Sequence, residues 1–166
     1  LEKLVTFFSP TEFNFYKQER DMSDQEKLDF LTRFEEHPKK TTVGFLVIGG
    51  SFAEGINLID DRLIGAVIIG IGMPRINFES DQIATYFKAK DKPGHDYAYL
   101  NPGMNKVMQA VGRVIRSEDD RGAALLIDER YMSHQYQDLF RVEWNNYLVV
   151  LTPEEVKNHL ITFFRK

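Results

Sequence analysis

Residues 43–49, VGFLVIG, form a continuous apolar run that ends in glycine. Such a run, in which polar and apolar positions do not alternate, predicts a strand that is buried on both faces of a sheet. Residues 64–72, IGAVIIGIG, and residues 123–129, AALLIDE, have the same character. Strands of this kind occur in parallel sheets that are covered by helices on both sides.

Helix signals alternate with these strands. Each signal is a residue that can cap the start of a helix, together with a residue that favours the first turn. The pairs are Ser23 with Glu26, Asn101 with Pro102, and Thr152 with Glu155. Ser80 is a further candidate cap, for a helix that ends near Lys88. Shorter strands are predicted at residues 12–18 and 147–152. The alternation predicts an α/β fold with a mostly parallel central sheet flanked by helices, in a single domain over residues 1–166.

The composition limits the class of protein. The chain has 166 residues, of which 43% are hydrophobic and 28% are charged, and this is typical of a globular domain with a core. Because the chain contains no cysteine, disulfides and thiolate metal sites are excluded within it. No apolar segment reaches the roughly 18 residues of a membrane span. The formal net charge of −4 disfavours a module that binds nucleic acid through bulk charge.

Residues 109–116, QAVGRVIR, place polar side chains inside an apolar run. On a helix with about 100° of rotation per residue, one stripe carries Gln109, Gly112, Arg113 and Arg116, and Asn105 and Lys106 extend it. The apolar side, which we expect to pack on the sheet, carries Met104, Val107, Met108, Val111, Val114 and Ile115. Glycine inside a helix costs about 1 kcal/mol relative to alanine, so we expect a close approach at Gly112. The stripe is either a solvated surface or a phosphate site, because guanidinium groups bind phosphate oxygens through paired hydrogen bonds.

Residues 49–58, GGSFAEGINL, directly follow the first apolar run. Ligands of open α/β sheets bind at the carboxyl ends of the strands. Gly49, Gly50 and Gly55 allow positive φ and a close backbone approach, and Ser51 with nearby amides could bind a nucleic-acid phosphate. Glu54 could order the loop or contact a nucleotide. The alternative is a plain glycine-rich connection between two elements.

Together, these two stretches resemble motif V and motif VI of the second RecA-like motor domain of superfamily-two helicases. More narrowly, they are similar to the C-terminal helicase domain of the XPD/DinG family of ATP-dependent DNA helicases, in which motif V reads near SEGIDF and motif VI near QxxGRxIR. Residues 52–58 and 109–116 match these motifs, and residues 20–36, 66–74 and 121–131 are similar to neighbouring segments of the family. The resemblance covers residues 20–144. Asn57 departs from it, because the family commonly has aspartate there.

The resemblance implies a three-layer, P-loop NTPase-like RecA domain, excised from a longer chain, in a motor that moves 5′ to 3′ on single-stranded DNA. It implies that Arg113 and Arg116 act as arginine fingers on the γ-phosphate, and that Gln109 couples hydrolysis to closure. The other implied contacts are to ATP, from Glu54, Gly55, Asn57 and Gly112, and to DNA, from Gly49, Gly50 and Ser51. Asp128 and Arg130 would brace the cleft, or else form a surface turn.

The implied cofactors are ATP and Mg²⁺. The chain has no P-loop lysine, no acidic Mg²⁺ motif and no cluster cysteines, so the resemblance assigns Mg²⁺ to the first RecA-like domain of the same protein and any iron–sulfur cluster to a segment outside residues 1–166. The isolated chain is therefore expected to be inactive as an ATPase. No metal ligand is predicted within the chain, because metal-ligand spacing is lacking for His37, His95, His134 and His159. We expect a cytoplasmic, nucleoid-associated role in bacterial DNA repair.

Two alternatives stay open. The first is the second domain of an RNA helicase, but such domains usually carry histidine and arginine before the xGRxxR segment, where this chain has Gln109 and Ala110. The second is a noncatalytic α/β binding module whose arginine face contacts an acidic protein, and the net charge of −4 fits that reading somewhat better.

Overall fold

The computed structural model describes residues 12–50, 52, 58, 62–115 and 120–165. The chain divides into two compact units, Leu1–Asp128 and Glu129–Lys166. The elements of the first unit are β1 (Phe13–Lys17), α1 (Asp24–Thr32), β2 (Thr41–Phe45), β3 (Gly65–Ile69), α2 (Phe78–Lys88), a π-helical turn (Asp96–Leu100), α3 (Asn101–Val111) and β4 (Ala123–Ile127). Those of the second unit are a 3₁₀ turn (Glu129–Met132), α4 (His134–Gln137), a second 3₁₀ turn (Val142–Trp144) and α5 (Pro153–Phe164). A single domain over the whole chain stays a prediction.

The described strands are parallel to their partners, as the apolar runs predict. β1 pairs with β2 from Phe13↔Thr41 to Lys17↔Phe45, and β3 pairs with β4 from Gly65↔Ala123 to Ile69↔Ile127. The described residues thus contain two parallel pairs. Because parallel strands run in the same direction, the carboxyl ends of each pair lie at one edge, and the loops that follow them start side by side. The α/β class is confirmed.

A hydrophobic cluster, mostly aromatic, joins α1 to the β1–β2 pair. Its buried members are Phe30, Phe34, Phe52 and Leu58. Ring centroids of Phe30 and Phe52 lie 4.8 Å apart, a distance typical of favourable aromatic pairs. Gly44 in β2 makes room for this cluster, because a Cβ there would lie 2.6 Å from Cζ of Phe34. The cluster therefore depends on a strand position that carries no side chain.

The start of α1 is as predicted. The Ser23 hydroxyl accepts the Glu26 N–H at 3.3 Å, and the Glu26 carboxylate accepts the Ser23 N–H at 2.7 Å, which completes the capping box. Hydrogen bonds from the Ser23 hydroxyl and then from its backbone hold the pKa of Glu26 below its ordinary value. At the other end, Arg62 donates to the carbonyl oxygens of Phe34 and Leu31, at 2.7 and 3.2 Å. These carbonyls lie at the helix end, where intrahelical donors are lacking.

The predicted caps of α2 and α5 need correction. Asn77, and not Ser80, caps α2, because its side-chain oxygen accepts the Ser80 N–H at 2.8 Å; the helix ends at Lys88, as expected. In α5, Thr152 accepts the Glu155 N–H at 3.2 Å, but the Glu155 carboxylate accepts the N–H of Leu151 and not that of Thr152. The capping box of α5 is therefore incomplete.

Asn101 is not a helix cap, although Pro102 follows it. The π-helical turn Asp96–Leu100 runs directly into α3, and Asn101 already has helical dihedral angles. Proline has no N–H and clashes with the carbonyl one turn before it. In the wider π turn, the Asn101 N–H bonds to the carbonyl of Asp96, which accommodates Pro102 without ending the helix.

The strand predictions are partly wrong in extent and in burial. β2 ends at Phe45, and Leu46 and Val47 beyond it are exposed. Pairing stops there because the Val47 N–H donates to the side chain of Gln18 at 3.0 Å. In β3, Val67 and Ile69 are more than half exposed, so this strand is buried on one face only. Residues 147–151 are not a strand and expose their large apolar side chains, namely Tyr147, Leu148, Val149 and Leu151.

We predict that Gly44→Ala destabilises the protein by about 1–3 kcal/mol, because the added methyl group overpacks the Phe34 ring. Gly65→Ala is the matched control in a second parallel strand, since its Cβ would meet only the Ala123 carbonyl oxygen at 3.4 Å. It should change the free energy of unfolding by less than about 0.5 kcal/mol. Urea denaturation measures both values, and equal values for the two variants would contradict the packing described for Gly44.

Candidate nucleotide and nucleic-acid site

Helix α3 packs on the first unit through its apolar side, as predicted. Met104 and Val107 are fully buried. Gly103 allows the helix to approach the chain that follows β3, because a Cβ at Gly103 would lie 3.1 Å from Met73 Sδ and 3.2 Å from Ile71 Cγ2. The position of α3 therefore depends on a glycine contact as well as on burial of apolar side chains.

The helix ends before the predicted arginine stripe is complete. α3 ends at Val111, and the next N–H groups bond three or four residues back: Gly112 to the carbonyl of Met108, and Arg113 to the carbonyl of Ala110. Glycine has a low helix propensity, and tightened final turns are common at helix ends. The prediction of one helical stripe through residue 116 is therefore wrong in the part that follows Val111.

The predicted polar and apolar sides agree with the structure in part. Gln109 and Gly112 are exposed, and Arg113 is half-buried. Val114 is buried, and a Cβ at Gly122 would clash with its Cγ1. Ile115, which was expected to pack, is 53% exposed, because it follows the end of the helix. Arg116 lies outside the described residues.

Gly112 is exposed at the end of α3. Among the described residues, a Cβ at this position would lie close to the Met108 carbonyl oxygen, at 3.1 Å, and in ordinary contact with the Gln109 carbonyl oxygen, at 3.7 Å. Its φ of −64° is available to any residue. The backbone conformation therefore does not require glycine here. The close approach that the sequence predicts at Gly112 stays a prediction.

The loop after β2 has the backbone that its glycines suggest. Gly49 has φ of +72°, a conformation that favours glycine. Gly50 donates its N–H to the Val47 carbonyl at 2.9 Å, and a Cβ at Gly50 would lie 3.1 Å from Gln18 Nε2. Gln18 at the carboxyl end of β1 thereby holds this loop. The remaining predicted residues of the loop, Ser51, Glu54, Gly55 and Asn57, lie outside the described residues.

Lys106 joins this loop to helix α3. A Cβ at Gly49 would lie 2.8 Å from Lys106 Cδ, and a Cβ at Gly72, in the loop after β3, would lie 3.2 Å from the same atom. We call Gly49, Gly72 and Lys106 the loop junction. It brings the glycine-rich loop and the helix that carries Gln109 and Gly112 to the same side of the first unit. The two stretches that the sequence singled out are therefore neighbours.

Gln18 and Gly72 are not among the site residues that the sequence predicts, and Lys106 is predicted only to extend the polar stripe. A signal for Gln18 was available, because it follows a predicted strand and the carboxyl ends of paired parallel strands share an edge. Gly72 ends the second apolar run in the same way. The contacts of Lys106 depend on the approach of α3 to both loops, which no local pattern of residues reports.

A buried tyrosine fixes α2 against the helical segment that precedes α3. The Tyr99 hydroxyl donates to Asp81 Oδ1 at 2.8 Å. The hydrogen bond to Asp81, followed by burial, raises the pKa of Tyr99, so the phenol stays protonated as the donor. This contact lies within the segment that leads into the loop junction and helps to set the position of α3.

Two further predicted residues, Asp128 and Arg130, lie at the end of the first unit and in the second unit. Asp128 follows β4, and its Oδ2 lies 3.9 Å from the Cβ position of Gly70, at the end of the paired strand. Arg130 lies in the 3₁₀ turn of the second unit. Bracing of a cleft by these two residues stays a prediction. The described residues contain no group of three or more His, Asp or Glu side chains that could hold a metal ion.

None of the helices within the described ranges is long and apolar enough to cross a membrane.

Comparison with known proteins identifies the family. A model of the helicase C-terminal domain matches residues 1–147. The chain is 36% identical over 114 residues to the ATP-dependent DNA helicase chl-1 of Caenorhabditis elegans, covering 66% of this chain and 14% of that protein. It is 36% identical over 95 residues to the ATP-dependent DNA helicase DDX11 of Danio rerio, covering 52% of this chain and 10% of that protein.

An archaeal relative and a solved structure extend the likeness. The probable ATP-dependent helicase MJ0942 of Methanocaldococcus jannaschii is 27% identical over 140 residues, covering 79% of this chain and 21% of that protein. A solved structure described as XPD_APO superposes with a TM-score of 0.58 at 23% identity, covering 75% of this chain and 25% of that chain. That likeness supports the RecA-like fold. The chain spans 10–21% of the length of these curated relatives.

We predict that Gly49→Ala lowers the free energy of unfolding by at least about 1–2 kcal/mol, because alanine is strained at positive φ and its methyl group would displace the Lys106 side chain. Gly112→Ala is the matched control, since this glycine is exposed and has an ordinary φ. It should change stability by less than about 0.5 kcal/mol. Chemical denaturation followed by circular dichroism measures both. A larger loss for Gly112→Ala than for Gly49→Ala would contradict the geometry of the loop.

Proposed function

The chain belongs to the helicase C-terminal domain family, and from that premise we propose that it is the second motor domain of an ATP-dependent DNA helicase. The observation that carries the proposal is the loop junction, which sets the glycine-rich loop after β2 beside the helix that leads to Arg113. A motor needs such proximity, because binding of DNA at one segment must change the geometry of ATP hydrolysis at the other.

The end of α3 fits the phosphates of a nucleotide. Gln109 and Gly112 are exposed, and Arg113 lies in the tightened turn that follows Val111. We propose that Gln109, Arg113 and Arg116 contact the γ-phosphate side of ATP, and that Gly112, Glu54, Gly55 and Asn57 line the same site. Bound ATP supplies the phosphoryl group, and guanidinium groups would stabilise the charge that develops during its transfer.

The other half of the ATP site would come from the first RecA-like domain of the same protein. We propose that this domain holds Mg²⁺ and the β-phosphate, and that any iron–sulfur cluster lies outside residues 1–166. Under this proposal, the isolated chain does not hydrolyse ATP. Half of the residues that surround the triphosphate would be missing from it.

The nucleic acid would contact the loop after β2. We propose that Gly49, Gly50 and Ser51 bind the backbone of single-stranded DNA through amide and hydroxyl donors, and that the motor moves 5′ to 3′. The names of the relatives favour DNA over RNA, since chl-1 and DDX11 are both called ATP-dependent DNA helicases. We further propose a role in DNA repair. The relatives named above come from a nematode, a fish and an archaeon, and they do not favour a bacterial, nucleoid-associated setting in particular.

We predict that Arg113→Ala and Arg116→Ala in the full-length protein each lower DNA-stimulated ATP turnover by roughly 10³-fold, because loss of an arginine finger removes stabilisation of the transition state. The affinity for a fluorescent ATP analogue should stay close to that of the wild type. Arg165→Ala, outside the matched residues 1–147, is the control and should retain wild-type turnover. Wild-type turnover in both finger variants would refute the helicase proposal.

We predict that Glu54→Gln weakens the stimulation of ATP turnover by single-stranded DNA by a larger factor than it lowers the basal rate, because the carboxylate would couple the DNA loop to the nucleotide. The measurement is the ATPase rate with and without a DNA oligonucleotide. Glu154→Gln, in the exposed first turn of α5, should behave as the wild type. If the basal and stimulated rates of Glu54→Gln fall in parallel, the coupling role is wrong, even if the arginine variants behave as expected.

A further inference from the structure

The Lys106 side chain is held in place along most of its length. A Cβ at Gly72 would lie 3.3 Å from Lys106 Cβ and 3.2 Å from its Cδ, so the stem passes close to that glycine. A Cβ at Gly49 would lie 3.0 Å from Lys106 Cε and 3.2 Å from its Nζ. The aliphatic stem therefore packs between two loops, and the ammonium group lies beside Gly49.

The ammonium group has no acidic partner in the described ranges. None of the ion pairs or side-chain hydrogen bonds there involves the Lys106 ammonium group, although the chain carries 25 acidic residues and a net charge of −4. An ammonium group has three donors and no acceptor, and Lys106 is half-buried. A salt bridge to a described residue therefore does not explain why a cation is held at this point.

The backbone beside the ammonium adds a second donor. Gly49 has φ of +72°, and its N–H has no hydrogen-bond partner among the described residues. The N–H of Gly50 is already occupied, because it donates to the Val47 carbonyl. Backbone amides near a residue of left-handed conformation form concave sites that bind anions. Lys106 Nζ and the Gly49 N–H are thus neighbouring donors at the carboxyl end of a parallel strand.

We infer that Lys106 binds a phosphate group of the single-stranded DNA, together with the loop after β2. This inference rests on the proposed function, and it adds a residue that lies outside both motifs. Lys106 lies in the middle of α3 and precedes Gly112 by about 9 Å along the helix axis at 1.5 Å per residue. Its Nζ lies 3.2 Å from the Cβ position of Gly49, to which the DNA strand is assigned.

The test measures how salt affects binding of a labelled oligo(dT) strand by the full-length protein, through fluorescence anisotropy without nucleotide. Each phosphate neutralised on single-stranded DNA contributes about 0.7 to the slope of log K against log salt. Lys106→Met keeps the apolar stem between the glycines and removes the charge. It should lower the magnitude of the slope by about 0.7 and weaken binding equally for oligo(dT) and mixed sequences.

Matched variants separate charge from packing. Lys106→Arg should keep the wild-type slope, and Lys157→Met, an exposed lysine of α5, should also keep it. If Lys106→Met loses its helical circular dichroism signal, Lys106→Gln takes its place, because it also removes the charge and should lower the salt slope in the same way. The affinity for a fluorescent ATP analogue should be the same in Lys106→Met and the wild type.

Two results would overturn the inference alone. One is an unchanged salt slope in Lys106→Met while the wild type binds DNA, and the other is a loss of slope that Lys106→Arg shows to the same extent, which would mean that packing and not charge is responsible. A wild-type protein that does not bind single-stranded DNA would overturn the proposed DNA function as well, and this inference with it. The failures of the two proposals are therefore distinguishable.

Discussion

The first unit depends on the close approach of three segments that could not meet if they carried larger side chains. Gly49 and Gly72 leave room for the stem of Lys106, and Gly103 leaves room for Met73. The glycine at 49 supplies, in addition, a backbone conformation that other residues avoid. Burial of Met104 and Val107 then holds α3 against the rest of the first unit. The relation between the β2 loop and α3 follows from these contacts, and the candidate site follows from that relation.

Helix α3 is positioned from two directions. On one side, its apolar residues and Gly103 pack on the segment that follows β3. On the other, the buried Tyr99 hydroxyl bonds to Asp81 of α2, so the segment before α3 is tied to a second helix. A helix that is fixed in this way can hold Gln109 and Arg113 at a constant distance from the loop after β2. The proposed contacts to DNA and to ATP would then be linked through a rigid element rather than through a flexible connection.

Parallel pairing and the capping box of α1 could be predicted from the sequence, because apolar runs and cap spacing act over a few residues. The caps of α2 and α3 could not. Asn77 competes with Ser80 for the same helix start, and the π turn lets the helix continue through Pro102. Burial on both strand faces was also overestimated, since apolar composition does not reveal which face is covered. For the candidate site, the pattern predicted exposure of Gln109 and the backbone of Gly49, but not the end of α3 at Val111, where Gly112 weakens the helix.

The π turn at Asp96–Leu100 has a consequence for the direction in which the following helix presents its side chains. A turn of this type includes one more residue than an α-helical turn, and one residue corresponds to about 100° of rotation. Every side chain of α3 is therefore rotated about the axis compared with its place on an uninterrupted helix. This single inserted residue determines that Met104 points inward, while Lys106 reaches Gly49. Shortening the segment by one residue would change the azimuth of the whole helix, although none of its own residues would be altered.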